Sequence, residues 1–252
     1  MKLFVELWQS NSFIMAFVVV GILSYLAQVI SKKVTKGRVH ASAIAILFGL
    51  VLAYIGGTVT RGSKGLADIA MFSGIGVLGG SSLRDLAIIS TAQGAKFSEI
   101  KKCGLAGVAA LFIGIVSSYL VGAIIACIAG YLDAVSVATI ASGTVTFVVG
   151  PVTGSALGAA SDVIAISIAA GLVKSIAVML ITPFVAKKIG LTTPRAAMIY
   201  GGLMGTTSGT TAGLASTNPA LVPYGAMTST FYTGLGCLLC PSVLFAITNL
   251  IF

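Results

Sequence analysis

The chain is poor in charge and poorest in acids: its 252 residues hold six Asp and Glu against fifteen Lys and Arg, so charged residues are only 8%. With 57% hydrophobic residues and a mean hydropathy of +1.09, so little charge excludes an ordinary soluble domain. Histidine and tryptophan occur once each, as His40 and Trp8, and there are four cysteines, Cys103, Cys127, Cys237 and Cys240. All four cysteines fall within apolar runs, which excludes a disulfide framework or a zinc site, and Cys237-x-x-Cys240 reads as packing. The net charge of +9 does not point to nucleic acid. The bases sit in short connections between apolar runs, with no basic face or aromatic platform, and there they report membrane orientation.

What the chain has in abundance is apolar sequence long enough to cross a bilayer, which takes about 20 residues per helix. Six spans are expected: Phe13 to Ile30, Ala41 to Gly57, Leu66 to Ala92, Cys103 to Tyr131, Val163 to Ala186 and Ala226 to Phe252. The first is not followed by a small-residue cleavage pattern and is read as a retained helix, with Trp8 at its interfacial start. Three connections carry the bases: Lys32, Lys33, Lys36 and Arg38; Lys96, Lys101 and Lys102; Lys187, Lys188 and Arg195. The positive-inside rule puts all three in the cytoplasm, while Arg61 and Lys64 land outside, against the rule. His40 lies beside the first basic connection and reads as interfacial.

Two segments are near copies: Gly150-Pro-Val-Thr-Gly-Ser-Ala-Leu-Gly-Ala-Ala-Ser161 and, 55 residues on, Gly205-Thr-Thr-Ser-Gly-Thr-Thr-Ala-Gly-Leu-Ala-Ser216. Glycine and hydroxyl side chains make poor helix, yet both segments lie between strongly apolar runs. Irregular backbone in hydrocarbon is tolerated only around a buried cavity, and a duplicated break is the best sequence pointer to the binding site of a secondary carrier. To keep the basic connections on one side, residues 134–162 must begin and end outside, and the segment from Ala196 to about Thr217 must begin and end inside. Each copy is then one hairpin plus one true span, and an odd number of crossings inverts the second copy. The expected fold is an all-α integral membrane protein of six transmembrane helices plus two oppositely oriented re-entrant helical hairpins. A parallel repeat of broken spans is the alternative. Residues 1–131 form an N-terminal helical region, part of it scaffold or partner-docking, and residues 132–252 carry the substrate and ion site.

At each tip, freed N–H groups and half-helix N-termini suit an anion such as a carboxylate. The candidate substrate residues there are Thr153, Gly154, Ser155, Thr207, Ser208, Gly209, Thr210 and Thr211. Hydroxyls and freed carbonyls are also hard oxygen ligands for sodium; Thr206, Asp162 and Asn218 are the candidates. Lys174 lies eleven residues after Val163, about 16 Å along a helix, and shares a face with Ser167 and Gly171. An amine at that depth is expensive, so it is either a substrate counter-charge or the structural partner of an acid. Arg84, next to Asp85 after a third glycine-rich break, would hold a second carboxylate if that region lines the cavity. Gly107, Gly114, Ser118 and Gly122 form a small-residue packing stripe on the fourth span.

The chain length, the spans and the pair Gly150-Pro-Val-Thr-Gly-Ser-Ala-Leu-Gly158 and Gly205-Thr-Thr-Ser-Gly-Thr-Thr-Ala-Gly213 resemble the MadM-type subunit of the two-component malonate:sodium symporter, over the whole chain. The resemblance implies uptake of malonate with sodium as coupling ion and no cofactor. It also implies a smaller membrane subunit of the MadL type, in the cytoplasmic (inner) cell membrane. More loosely, the tips resemble the glycine-rich re-entrant loops of sodium-coupled glutamate and hydroxycarboxylate carriers, which implies an elevator-like movement. Two other functions fit the composition. A sodium-translocating decarboxylase subunit would need an essential intramembrane acid, for which only Asp85 and Asp162 are placed; a structural or channel-like subunit would use the glycines for packing.

Overall fold

The computed structural model describes residues 8–35, 41–61, 65–78, 86 and 97–252, and among them every regular element is helical. Arg84, Asp85, Lys36, Arg38, His40, Lys64 and Lys96 lie outside the described residues. The chain divides into two compact units, Met1–Ile89 and Ser90–Phe252.

The first unit contains α1 (Ser12–Lys33), α2 (Ala41–Thr60), 3-10 turns at Gly65–Asp68 and Ala70–Phe72, and the short α3 (Gly74–Leu78). Its 22 residues make α1 about 33 Å long. Lys32 and Lys33 in the last turn complement the negative end of the helix. The Trp8 indole donates to the Met71 carbonyl at 2.6 Å, and its ring stands edge-on to Phe72. The expected continuous span from Leu66 to Ala92 is corrected in its described part. Asp68 and Ser73 interrupt the apolar run, and the chain takes 3-10 turns and a five-residue helix there.

The second unit opens with α4 (Phe97–Ile128), kinked at Gly104, whose φ of 54° and ψ of −145° only glycine adopts readily. Next come α5 (Ala134–Val145), α6 (Val149–Leu157), α7 (Ser161–Val185), α8 (Pro194–Met204), α9 (Thr207–Ala215), a 3-10 turn at Pro219–Leu221, α10 (Val222–Leu239) and α11 (Phe245–Asn249). A π segment, Cys240–Leu244, joins α10 to α11 where Pro241 can neither donate its amide nor leave room for the preceding turn. Among the described residues, four segments are long and apolar enough to cross a membrane: Ser12–Lys33, Cys103–Ile128, Ser161–Val185 and Pro219–Asn249. Their outward residues are large and apolar, such as Ile113, Leu120, Val173, Phe184 and Phe231. The buried face of α7 carries small and polar residues, Ser167, Gly171, Ser175 and Thr182, beside Val163, Val178 and Met179. This inversion of the soluble pattern marks a multi-pass membrane protein.

Close contacts give the direction of each hairpin. On α5, Thr139 lies at the level of Ile164 of α7, Gly143 packs on Ser167 and Phe147 on Gly171, so α5 runs parallel to α7. Gly150 then returns to Ser167 and Gly154 to Ile164, so α6 runs back. The second hairpin does the reverse on the other half of α7. Tyr200 of α8 bonds Thr182, Thr206 reaches Ser175, and α9 returns with Gly209 on Ser175 and Gly213 on Thr182. The two hairpins therefore approach from opposite ends of α7, and their breaks, at 146–148 and 205–206, face each other near its middle.

α10 runs antiparallel to α7. It passes Thr210 and Leu214 at Gly225, Gly201 at Ser229, Gly205 at Tyr232, and then Val145 and Val149 at Gly236. The small stripe on α4 receives the first arms of both hairpins, Gly114 meeting the Gly202 and Leu203 carbonyls and Gly122 meeting Ala141 and Thr144. Cys103, Ala186 and Leu191 share one core cluster, which brings the basic ends of α4 and α7 to the same end of the unit. The four cysteines are free.

The expectation that the motifs form the hairpin tips needs correction. Gly150 to Leu157 is helical, and the first break falls ahead of it, where Thr146 Oγ1 accepts from the N–H groups of Val148 and Val149. Its counterpart is Thr206, 60 residues on, whose hydroxyl accepts from the Gly209 N–H.

A methyl group at Gly171 would strike the Phe147 backbone at the first break, whereas one at exposed Gly234 meets nothing within 4 Å. We expect Gly171→Ala to cost about 1–3 kcal/mol by overpacking, read as a lowered melting temperature in detergent, and Gly234→Ala to cost nothing. At the outer end of the first hairpin, Asp133 caps α5 by accepting from the Ser136 N–H at 2.8 Å, which holds its carboxyl below the ordinary range. A lowered folded-state pKa stabilises above the unfolded value and is lost as pH falls through the folded one. Asp133→Ala is therefore expected to cost about 1 kcal/mol at neutral pH, and the difference from wild type to vanish well below about pH 4.

Candidate functional site around Lys174

The site is built where both breaks reach the middle of α7. Lys174 stands there, and its ammonium donates to Ser118 Oγ of α4 at 2.8 Å, to the carbonyl of Val145 at 3.0 Å and to the Tyr232 hydroxyl of α10 at 3.3 Å. The nitrogen lies 5.1 Å from the centre of the Tyr232 ring. Three partners match the three N–H bonds of an ammonium, and none of them is charged.

Each oxygen is held by local structure. Val145 ends α5, where the chain turns and leaves carbonyls with no helical donor, at the negative end of the helix. Tyr232 is fully buried, and its hydroxyl hydrogen is shared between the Gly114 carbonyl at 2.9 Å and Ser118 Oγ at 3.0 Å. Gly205, at φ +68°, closes α8 directly against that ring, a place with no room for a side chain. One residue along α7, Ser175 bonds Thr206, the N-cap of α9. The C-terminus of α5 and the N-terminus of α9 thus reach neighbouring residues of one helix.

The expected residues divide. Lys174 and Thr206 come together at the breaks, with Thr207, Ser208 and Gly209 in the first turn of α9. Gly209 packs so that an added Cβ would lie 2.6 Å from the Ser175 carbonyl. Thr153 and Thr210 are fully buried, one on each motif helix, and among the described residues theirs are the buried side-chain oxygens with no hydrogen-bond partner. Thr211 is half-buried and bonds the Ser208 carbonyl. Gly154 packs α6 against Ile164 and Thr139, and Ser155 is exposed.

Asp162 and Asn218 stand apart. Asp162 is exposed in the first turn of α7, twelve residues or about 18 Å from Lys174, where an acid favours the positive helix end. The Asn218 amide oxygen caps the 3-10 turn by accepting from the Ala220 N–H. Among the described residues no group of three His, Cys, Asp or Glu side chains is placed to hold a metal. Sequence reasoning missed Thr146, Tyr232 and the Val145 carbonyl, and took Ser118 for packing alone.

A site of this kind can receive a small anion at a buried positive charge flanked by a helix N-terminus, and a hard cation among neutral oxygens. No curated protein and no solved structure matches the chain. One family does, described as the malonate/sodium symporter MadM subunit and matched over residues 4–252. That description is of a transporter subunit, implying sodium as the coupling ion and a partner subunit. With nearly its whole length covered, the chain belongs to the MadM family and is a membrane subunit of a malonate:sodium symporter.

Proposed function

We propose that the two breaks and Lys174 form the malonate site, with Lys174 the counter-charge of one carboxylate and the first turn of α9 offering N–H groups and the hydroxyls of Thr206, Thr207 and Ser208 to the anion. The observation that carries this is a half-buried lysine whose ammonium has partners that are all neutral. Burying an unpaired charge costs several kcal/mol, and an arriving carboxylate supplies what the fold withholds. Sodium is coordinated by hydroxyls and freed carbonyls of the motif helices, Thr153 and Thr210 among them. Their partnerless hydroxyls support this, because buried polar groups without partners are rare and call for a ligand or water.

In the bilayer, the hairpins α5–α6 and α8–α9 are re-entrant from opposite faces, and α7 and α10 are the paired spans of an inverted repeat. Their antiparallel course and the opposed hairpins support this reading. Counting α2 and the segment from Leu66 to Ala92 as crossings keeps the three basic connections on one side, giving six spans. Residues 132–252 carry the transport site and residues 1–131 serve as scaffold, with the first two spans docking a smaller MadL-type subunit in the inner cell membrane. Alternating access moves the hairpins against α4 in an elevator-like step.

Uptake of radiolabelled malonate under a sodium gradient, by vesicles carrying this chain and its partner, tests the site. Lys174→Met is expected to lower transport efficiency at least about 30-fold, the loss from removing one side of a buried charge pair; unchanged uptake would refute the counter-charge role. Thr153→Val and Thr210→Val replace partnerless hydroxyls by a methyl of the same shape, so stability should hold or rise. At least one of them should raise the half-saturating sodium concentration about tenfold, and sodium activation unchanged in both would remove these hydroxyls from the cation site.

A further inference from the structure

We infer that Ser118 Oγ, the Val145 carbonyl and the Tyr232 hydroxyl form a cation cage that Lys174 fills with its own ammonium in the absence of substrate, and that a sodium ion, distinct from the one at Thr153 and Thr210, takes over when malonate draws the ammonium out. This rests on the proposed role of Lys174 as carboxylate counter-charge. The three distances, 2.8, 3.0 and 3.3 Å, account for all three ammonium hydrogens, so no N–H bond is left for a carboxylate in this state. Malonate can pair closely with Lys174 only if the ammonium gives up at least one of these oxygens.

The vacated position does not suit an empty cavity. The Val145 carbonyl is the last of α5, with helix dipoles behind it, and its lone pairs face the place the ammonium leaves. Ser118 and Tyr232 stay fixed there, the tyrosine by its bond to the Gly114 carbonyl and by burial against Gly205. Neutral hydroxyl and carbonyl oxygens are the donor set of a hard monovalent cation. Sodium is smaller than an ammonium, and the cage closes on it by moving the break after α5 toward α4 and α10. Ammonium and sodium cannot share the cage, because their charges repel and the oxygens are the same.

Coupling follows from the exchange. Malonate lowers the cost of removing the ammonium, sodium repays the oxygens it leaves, and each raises the affinity of the other by the same factor. Without the lysine, sodium should enter unaided.

The test is radioactive sodium binding to the purified complex of this chain with its partner subunit, at constant ionic strength held with choline, with and without malonate. In the wild type, saturating malonate is expected to raise sodium affinity tenfold or more. Lys174→Met should bind sodium that strongly with no malonate, and malonate should add nothing. Adding Ser118→Ala to Lys174→Met should abolish the gain. Lys174→Met affinity equal to that of wild type without malonate, a gain that survives Ser118→Ala, or a gain for potassium and none for sodium would each overturn the exchange. If Lys174→Met does not fold, Tyr232→Phe keeps the lysine and removes one cage oxygen. It should then cut the malonate enhancement at least several-fold, and an undiminished enhancement would overturn the proposal. Malonate uptake by the wild-type complex is scored separately and decides the transport reading by itself.

Discussion

Among the described residues the Lys174 ammonium has only neutral partners, and the second unit is organised around it. Lys174 is held at the middle of α7 by oxygens from α4, from the end of α5 and from α10. Satisfying those three hydrogens requires a helix to stop where α5 stops, a serine on the packing stripe of α4, and a tyrosine whose ring covers the other break. The breaks are where two short helices end around that charge. Glycine and serine at Gly143, Ser167 and Gly171 let the backbones come close enough to do it.

The two hairpins share a pattern: each is followed by a long helix, α7 or α10, and packs on the first half of it. Threonine opens the return arm in both, Thr146 in the first and Thr206 in the second. The copies differ where they meet: the first offers a helix C-terminus, which favours a cation, and the second a helix N-terminus, which favours an anion.

Much of this was legible in the sequence, for physical reasons that also set the limit. The spans Cys103–Ile128 and Ser161–Val185 stand out because hydrocarbon demands about 20 apolar residues, and Lys174 stands out because so few charges can be buried there. The segment from Leu66 to Ala92 reads as a span by composition, and its described part, up to Leu78, forms short turns instead, interrupted at Asp68 and Ser73. The 55-residue alignment matched glycines, whose places are set by packing, whereas the chain turns at threonines 60 residues apart. Asp162 and Asn218 looked like cation ligands by type, yet each serves the start of its own helix or turn. The Val145 carbonyl could not be read at all, because a backbone oxygen has no side-chain signature.

A structure of the complete symporter determined with malonate and sodium bound would decide whether Lys174 is where the substrate sits. The geometry predicts a dicarboxylate between the two breaks, with one carboxylate within hydrogen-bond distance of the Lys174 ammonium and the other facing the first turn of α9. Malonate bound elsewhere, with Lys174 still held by Ser118, Val145 and Tyr232, would contradict it.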